Sequence, residues 1–212
     1  QVIGCKRLCL DTNYFETYNR PNVDLVDIKT DPIHHIDEHG LVLTSGARYD
    51  VDMIVFATGF DAMTGSITKI AITGRDGLTI QDAWSAGPVN YLGLQVVGFP
   101  NMFTITGPGS PSVLTNMIVS IEQHVDWITD AMVALGEGGY TTIEATEGAQ
   151  SDWVGHVNTV ADFTLFPTCN SWYLGANIAG KTRVFMPLIG FPDYAARCDA
   201  VAAAGYEGFA LS

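Results

Sequence analysis

Hydrophobic positions fall into short continuous runs in the first half of the chain and into three-and-four spacing in much of the second. Residues 14–19 predict a short helix, stopped by Arg20-Pro21-Asn22. Residues 23–28 predict a strand, and two runs at 33–36 and 41–44 predict a hairpin across Glu38-His39-Gly40. The unbroken run Met53-Ile54-Val55-Phe56-Ala57 has the pattern of a strand buried on both faces of a parallel sheet. Residues 91–97 and 102–106 are read as further strands, and 80–84 as a helical turn.

The clearest helix follows. Val113, Leu114, Met117, Ile121, Val125, Ile128, Met132 and Leu135 fall on one stripe, and Gly136 and Gly138 end it. Residues 151–166 predict a second amphipathic helix closed by Pro167, and 191–204 a third. Residues 206–211 are a final strand or an extended tail. Buried strands alternating with helices give an α/β class, with parallel-sheet strands followed by a helical C-terminal half.

Composition narrows the partners. The 212 residues are 47% hydrophobic and 16% charged, as in an ordinary globular protein of one large or two small domains. A net charge of −13 argues against nucleic acid, which is bound by clustered cations. No apolar run approaches the ~20 residues of a membrane helix, and neither a membrane partner nor a signal peptide is expected. Cys5, Cys9, Cys169 and Cys198 show no zinc spacing. Reduced thiols in a cytoplasmic protein are expected, with a Cys5–Cys9 disulfide as the alternative. His34, His35 and His39 are read as exposed hairpin residues rather than metal ligands.

Four places could carry chemistry. The junction Gly107-Pro108-Gly109-Ser110-Pro111 leads from a predicted strand into the long helix. Unpaired N–H groups of a first helical turn suit an anionic or electron-rich ligand, and glycines allow close approach. The same sequence also serves as a plain tight turn with a Ser cap. Ala57-Thr58-Gly59-Phe60-Asp61 ends the predicted buried strand, the position at which nucleotides sit in open α/β sheets. Lys6-Arg7 is an adjacent cationic pair among only ten basic residues. Trp172 lies between Ser171 and Tyr173, suited either to a core or to a cofactor platform.

Together these segments resemble the Baeyer–Villiger monooxygenases. The likeness is carried by Lys6-Arg7, the stretch from Tyr14 to Arg20, and Ala57-Thr58-Gly59-Phe60-Asp61. It continues through Phe99-Pro100-Asn101, the Gly107 to Met117 junction, Ile121-Glu122-Gln123-His124, Ser171-Trp172-Tyr173 and Gly205-Tyr206-Glu207-Gly208-Phe209. The loop from Gly109 to Leu114 looks closer to the phenylacetone and steroid branch than to the cyclohexanone branch.

The resemblance implies the C-terminal part of a flavoprotein with two dinucleotide-binding domains. Residues 1–58 would end the NADP-binding domain, and 59–212 would continue the FAD-binding domain into a helical region. It implies FAD and NADP as cofactors, and a ketone and O2 as substrates. It makes Arg7 the catalytic cation and gives Lys6 the 2′-phosphate of NADP. Trp172 would hydrogen-bond the nicotinamide nucleotide, with Thr58, Gly59 and Met117 at the cofactors. Ser112, Val113 and Leu114 would line the ketone pocket. An oxygen nucleophile must be anionic to attack a carbonyl, and a fixed guanidinium favours that anion and the resulting oxyanion.

The family's Gly-x-Gly-x-x-Gly fingerprints do not occur in these residues. The expectation is therefore a chain that needs the N-terminal part of the same protein and does not retain FAD alone. The alternatives are a non-catalytic stand-alone binding module, or another NADP-dependent flavoprotein oxidoreductase.

Overall fold

The computed structural model describes residues 2, 5, 6, 8–169, 171–175 and 190–212, the Val113 side chain excepted. Two compact units emerge, Leu8–Gly59 and the combination of Gln1–Arg7 with Phe60–Ser212. Among the described residues no helix is long and apolar enough to cross a membrane.

The smaller unit opens with α1 (Tyr14–Thr17), where the Asp11 carboxylate accepts the Tyr14 N–H at 2.7 Å. Three antiparallel strands follow: β1 (Ile33–Ile36), β2 (Gly40–Leu43) and β3 (Arg48–Asp50). The predicted hairpin is present. Arg48 of β3 ties onto its turn, donating to both Asp37 oxygens at 2.9 Å, and to Asp50 of its own strand at 2.7 Å. That guanidinium holds the Asp37 carboxyl below the usual carboxylate range. Gly40 is required at the turn, since a Cβ there would collide with the Tyr49 carbonyl.

Two strand expectations differ from what this unit shows. Residues 23–28 form no strand, and neither do 53–57, where Met53, Val55 and Phe56 are 78%, 76% and 72% exposed. A run that is apolar on both faces becomes a central strand only with neighbours on both sides. No described segment pairs with residues 53–57.

The larger unit begins its helices with two single turns, α2 (Gly65–Thr68) and α3 (Ile80–Ala83). The Thr79 side chain caps α3 by accepting from the Asp82 N–H at 3.1 Å. Ile80 and Trp84 bury themselves against Val96 and Phe99 in a small separate core. The main core is helical. Trp127, Ala131 and Leu135 of α4 (Met117–Gly138) meet Trp153 and Val157 of α5 (Glu147–Asp162). Tyr194, Cys198 and Val201 of α6 (Phe191–Ala203) complete it. A two-stranded antiparallel ribbon, β4 (Ile143–Ala145) and β5 (Phe209–Leu211), closes its end. The helical C-terminal half and the late strand follow the sequence pattern; β4, only three residues long, does not stand out in it.

Three features differ from expectation. Residues 91–97 turn back on themselves, because Leu92 and Gly93 take left-handed φ of 57° and 73°. Residues 102–106 run beside that turn, with Thr104 N–H donating to the Leu94 carbonyl at 2.9 Å, but form no strand. Every described strand pair is antiparallel, so the expected parallel sheet is not found among the described residues. Finally, α4 starts later and faces differently. Asn116 caps it by accepting the Ile118 N–H at 3.0 Å, and Gly139 at φ 73° ends it. Of its buried residues, Ser120, His124, Trp127 and Ala131 each stand one position, or ~100°, before a residue of the predicted stripe, and Leu135 is common to both. Val125 and Met132 are left 43% and 64% exposed.

Candidate functional site

The loop entering α4 is held from several sides. The Asn90 side chain accepts the Gly93 N–H at 2.7 Å and donates to the Pro108 carbonyl at 2.5 Å. The Trp153 indole N–H donates to the Gly109 carbonyl at 3.0 Å, and the Ser110 hydroxyl to the Gly107 carbonyl at 2.7 Å. Gly109 takes φ 89° and lies against Asn90 so closely that any Cβ would collide with it. The loop is thus fixed by buried side chains from the 90–93 turn and from α5.

His124 adds a further hold. The Tyr194 hydroxyl donates to the Leu92 carbonyl at 2.7 Å, so at 2.8 Å it accepts from His124 Nε2. His124 Nδ1 is then left to accept the Thr106 N–H at 2.9 Å. All three bonds form together only with the neutral Nε2–H tautomer. Burial agrees, lowering the His124 pKa to about 4. A single imidazole therefore ties α4 and α6 to the residue preceding Gly107.

At the end of this loop a 3-10 turn, Ser112–Leu114, precedes α4. Ser112 is buried at a left-handed φ of 42°, whereas Leu114 is 40% exposed. The Val113 side chain lies outside the described residues. Met117, the first residue of α4, is 37% exposed, and Ile118 next to it 63%. The proposed pocket positions thus divide into a buried Ser112 and an open apolar rim.

Lys6 and Trp172 belong to a second cluster. The Ser171 hydroxyl donates to the Cys5 carbonyl and accepts the Tyr173 N–H at 3.2 Å. Cys5 and Cys169 are paired as a disulfide with Cα atoms 5.9 Å apart, in place of the reduced thiols or Cys5–Cys9 bond expected. A partner 164 residues away leaves no trace in local spacing. Lys6 is therefore one residue from a junction whose other side leads into Trp172. Trp172 is half-buried, edge-on to Tyr173 at 4.3 Å, and Tyr173 stacks on Phe166 at 6.0 Å. Arg7 lies outside the described residues. Thr58 and Gly59 are exposed in the smaller unit, with Gly59 at φ 94°.

Sequence reasoning missed Asn90, Trp153 and Tyr194 as supports of the loop. A polar His124 on the buried face of α4 was the available signal, since such a residue needs partners. No cluster of metal-ligating side chains exists among the described residues.

No protein-family model matches the chain. A Baeyer–Villiger monooxygenase of Pseudooceanicola batsensis is 44% identical over 202 residues, covering 95% of this chain and 37% of its own length. A solved structure of an oxidized steroid monooxygenase bound to NADP is 51% identical with a TM-score of 0.85, covering 99% of this chain and 39% of its own. The OTEMO complex with FAD and NADP superposes with a TM-score of 0.91 at 40% identity, covering 99% of this chain and 38% of its own. The chain thus spans about two-fifths of the length of these relatives. With sequence and backbone agreeing over nearly all of its residues, the chain corresponds to a part of the Baeyer–Villiger monooxygenases that it matches.

Proposed function

We propose that this chain is the C-terminal part of an FAD- and NADPH-dependent monooxygenase that inserts one oxygen atom of O2 into a ketone, giving an ester or lactone. The observation that carries the proposal is the match over 99% of the chain to a steroid monooxygenase bound to NADP. In this reading residues 1–58 end the NADP-binding domain and 59–212 continue the FAD-binding domain. The exposed run at Met53, Val55 and Phe56 is a central strand that pairs with the N-terminal part of the same protein. The protein acts in the cytoplasm.

The residues present fit the cofactors. The exposed side chains of Met117 and Ile118 offer an apolar surface to a flat ring, at a helix start whose first-turn amides suit an electron-rich edge. The rigid loop beneath fixes where that ring rests. When bound, the reduced flavin supplies the electrons that activate O2. Lys6, exposed beside the Ser171 junction, donates to the 2′-phosphate of NADP, and the Trp172 indole N–H donates to the nucleotide. Thr58 and Gly59 are exposed and contact a cofactor in this reading. Ser112, Val113 and Leu114 line the ketone pocket, with Leu114 on its apolar wall. Arg7 keeps its charge at any working pH and donates through a planar fork to the oxyanion of the carbonyl adduct.

The test is Arg7→Ala in the full-length protein. Flavin reduction by NADPH should persist in stopped flow, while ester formation by gas chromatography falls by about 10²–10³. Ester formation at the wild-type rate would remove Arg7 from the reaction. A wild-type protein that is reduced by NADPH yet oxygenates no ketone in a broad panel would overturn the assignment of function.

A further inference from the structure

We infer that Cys5 and Cys169 are a reversible redox site that fastens the segment bearing Lys6 to the turn bearing Trp172. The inference deepens the proposed function and rests on it for the coenzyme role of those two residues.

Three observations carry it. The Cα atoms stand 5.9 Å apart, within the span a disulfide bridges without backbone movement. Both sulphurs also face one acceptor, the Leu165 carbonyl, at 3.8 Å from Cys5 Sγ and 3.2 Å from Cys169 Sγ. The dithiol form therefore has an acceptor within reach of both sulphurs, one that it shares with the Thr168 N–H and hydroxyl. Lastly, Ser171 holds the Cys5 carbonyl from its own hydroxyl, and Ser171 is itself buried. That bond involves no sulphur, so the two segments stay neighbours after reduction and the thiols remain in reach of each other.

Access is asymmetric. Cys5 is 3% exposed, whereas Cys169 is half-buried and reachable from solvent. Hydrogen peroxide is the oxidant that fits this arrangement. The Cys169 thiolate attacks one peroxide oxygen, the O–O bond breaks, and water leaves after taking up a proton, giving a sulfenic acid. The Cys5 thiol then attacks that sulphur, the S–O bond breaks, and a second water departs with the Cys5 proton. Two thiols are oxidised by two electrons and one peroxide is reduced to two waters. A dithiol reductant reverses the change by exchange.

The consequence falls on the coenzyme. Lys6 follows Cys5 directly, and Trp172 stands three residues after Cys169. The crosslink holds their backbones at one spacing, whereas the reduced form relies on weaker hydrogen bonds, from the Ser171 hydroxyl to the Cys5 carbonyl and from Cys5 Sγ to the Leu165 carbonyl. The oxidised protein should bind NADPH more tightly, with a KM about fivefold below that of the reduced form, at the low end of common coupling between sites.

The experiment uses the full-length protein, oxidised with hydrogen peroxide or reduced with dithiothreitol and then desalted. Peptide mapping without reductant should find Cys5 joined to Cys169 in the oxidised sample alone, with KM for NADPH lower there. Cys5→Ser and Cys169→Ser should each abolish both the linked peptide and the redox dependence of KM. Absence of the linked peptide after peroxide overturns the inference. A linked peptide with unchanged KM also overturns it, provided Lys6→Ala raises KM for NADPH. If Lys6→Ala has no effect, the coenzyme reading of Lys6 falls separately, and the linked peptide alone decides the redox site.

Discussion

The two units treat their apolar residues in opposite ways. In the larger one Trp127, Trp153, Tyr194 and Phe209 come from four separate elements and bury one another. Two of its buried polar side chains, His124 and Asn90, are hydrogen-bonded to neighbouring backbone. In the smaller one, all four residues of β1 are exposed, and only Gly40 and Leu43 of β2 are buried. Its apolar run at 53–57 meets no strand. The first unit is a finished core; the second carries a surface of the kind that another sheet covers.

That contrast can be broken by mutation. The largest effect belongs to Trp153→Ala, which removes a side chain 2% exposed and its bond to Gly109. Unfolding in denaturant should lose about 3–5 kcal/mol. Trp153→Phe, which keeps most of the volume, should lose about 1–1.5 kcal/mol. No loss for Trp153→Phe would show that the indole N–H does not hold the loop.

Next comes His124→Phe, which leaves the Thr106 N–H without its acceptor and should cost about 1–3 kcal/mol. Its pH signature separates it from a simple packing defect. The His124 pKa is lowered from 6.5 to about 4 in the folded protein, so the unfolded chain binds the extra proton between those values. Stability from this group is complete above pH 6.5 and falls as the pH drops towards 4, by about 1.4 kcal/mol per pH unit. Urea midpoints measured across that window should slope more steeply for wild type than for His124→Phe. Parallel slopes would assign the pH dependence to other groups.

Val55→Ser sharpens the comparison from the other side. In this chain Val55 is 76% exposed, and the change should stay within about 0.5 kcal/mol. In the full-length protein, where the run is proposed to be a buried strand, the same change should cost about 1.5–3 kcal/mol. A negligible cost in both would leave residues 53–57 on the outside. The smallest effect is expected for Arg48→Ala. Its ion pairs with Asp37 and Asp50 stand in solvent, and the melting temperature should barely move.

What the sequence revealed follows the range of the interactions. The hairpin, the turn at Ile80 and the C-terminal helices rest on local periodicity and caps, and all are visible in the residue pattern. The strands read at 91–97 and 102–106 failed because Leu92 and Gly93 reverse the chain, and a left-handed Leu gives no local warning. The phase of α4 failed for a related reason. Its buried face includes Ser120 and His124, which count as polar in any pattern, while Met117 and Met132 face outward. The family was legible because its motifs survive as residues in order. The supports of the loop were not, since Trp153 reaches it from 44 residues away and Tyr194 holds the neighbouring 90–93 turn from 102 residues away.

The close fit around Gly109 also divides the loop for anyone mutating it. Gly93 lies against Ser110, and Gly109 against Asn90, so tightly that neither glycine has space for a side chain. Libraries that randomise those two positions should return mostly misfolded clones. Leu114 and Met117, open at the rim, can change size without disturbing the floor beneath them. Diversity introduced there should cost little in expression.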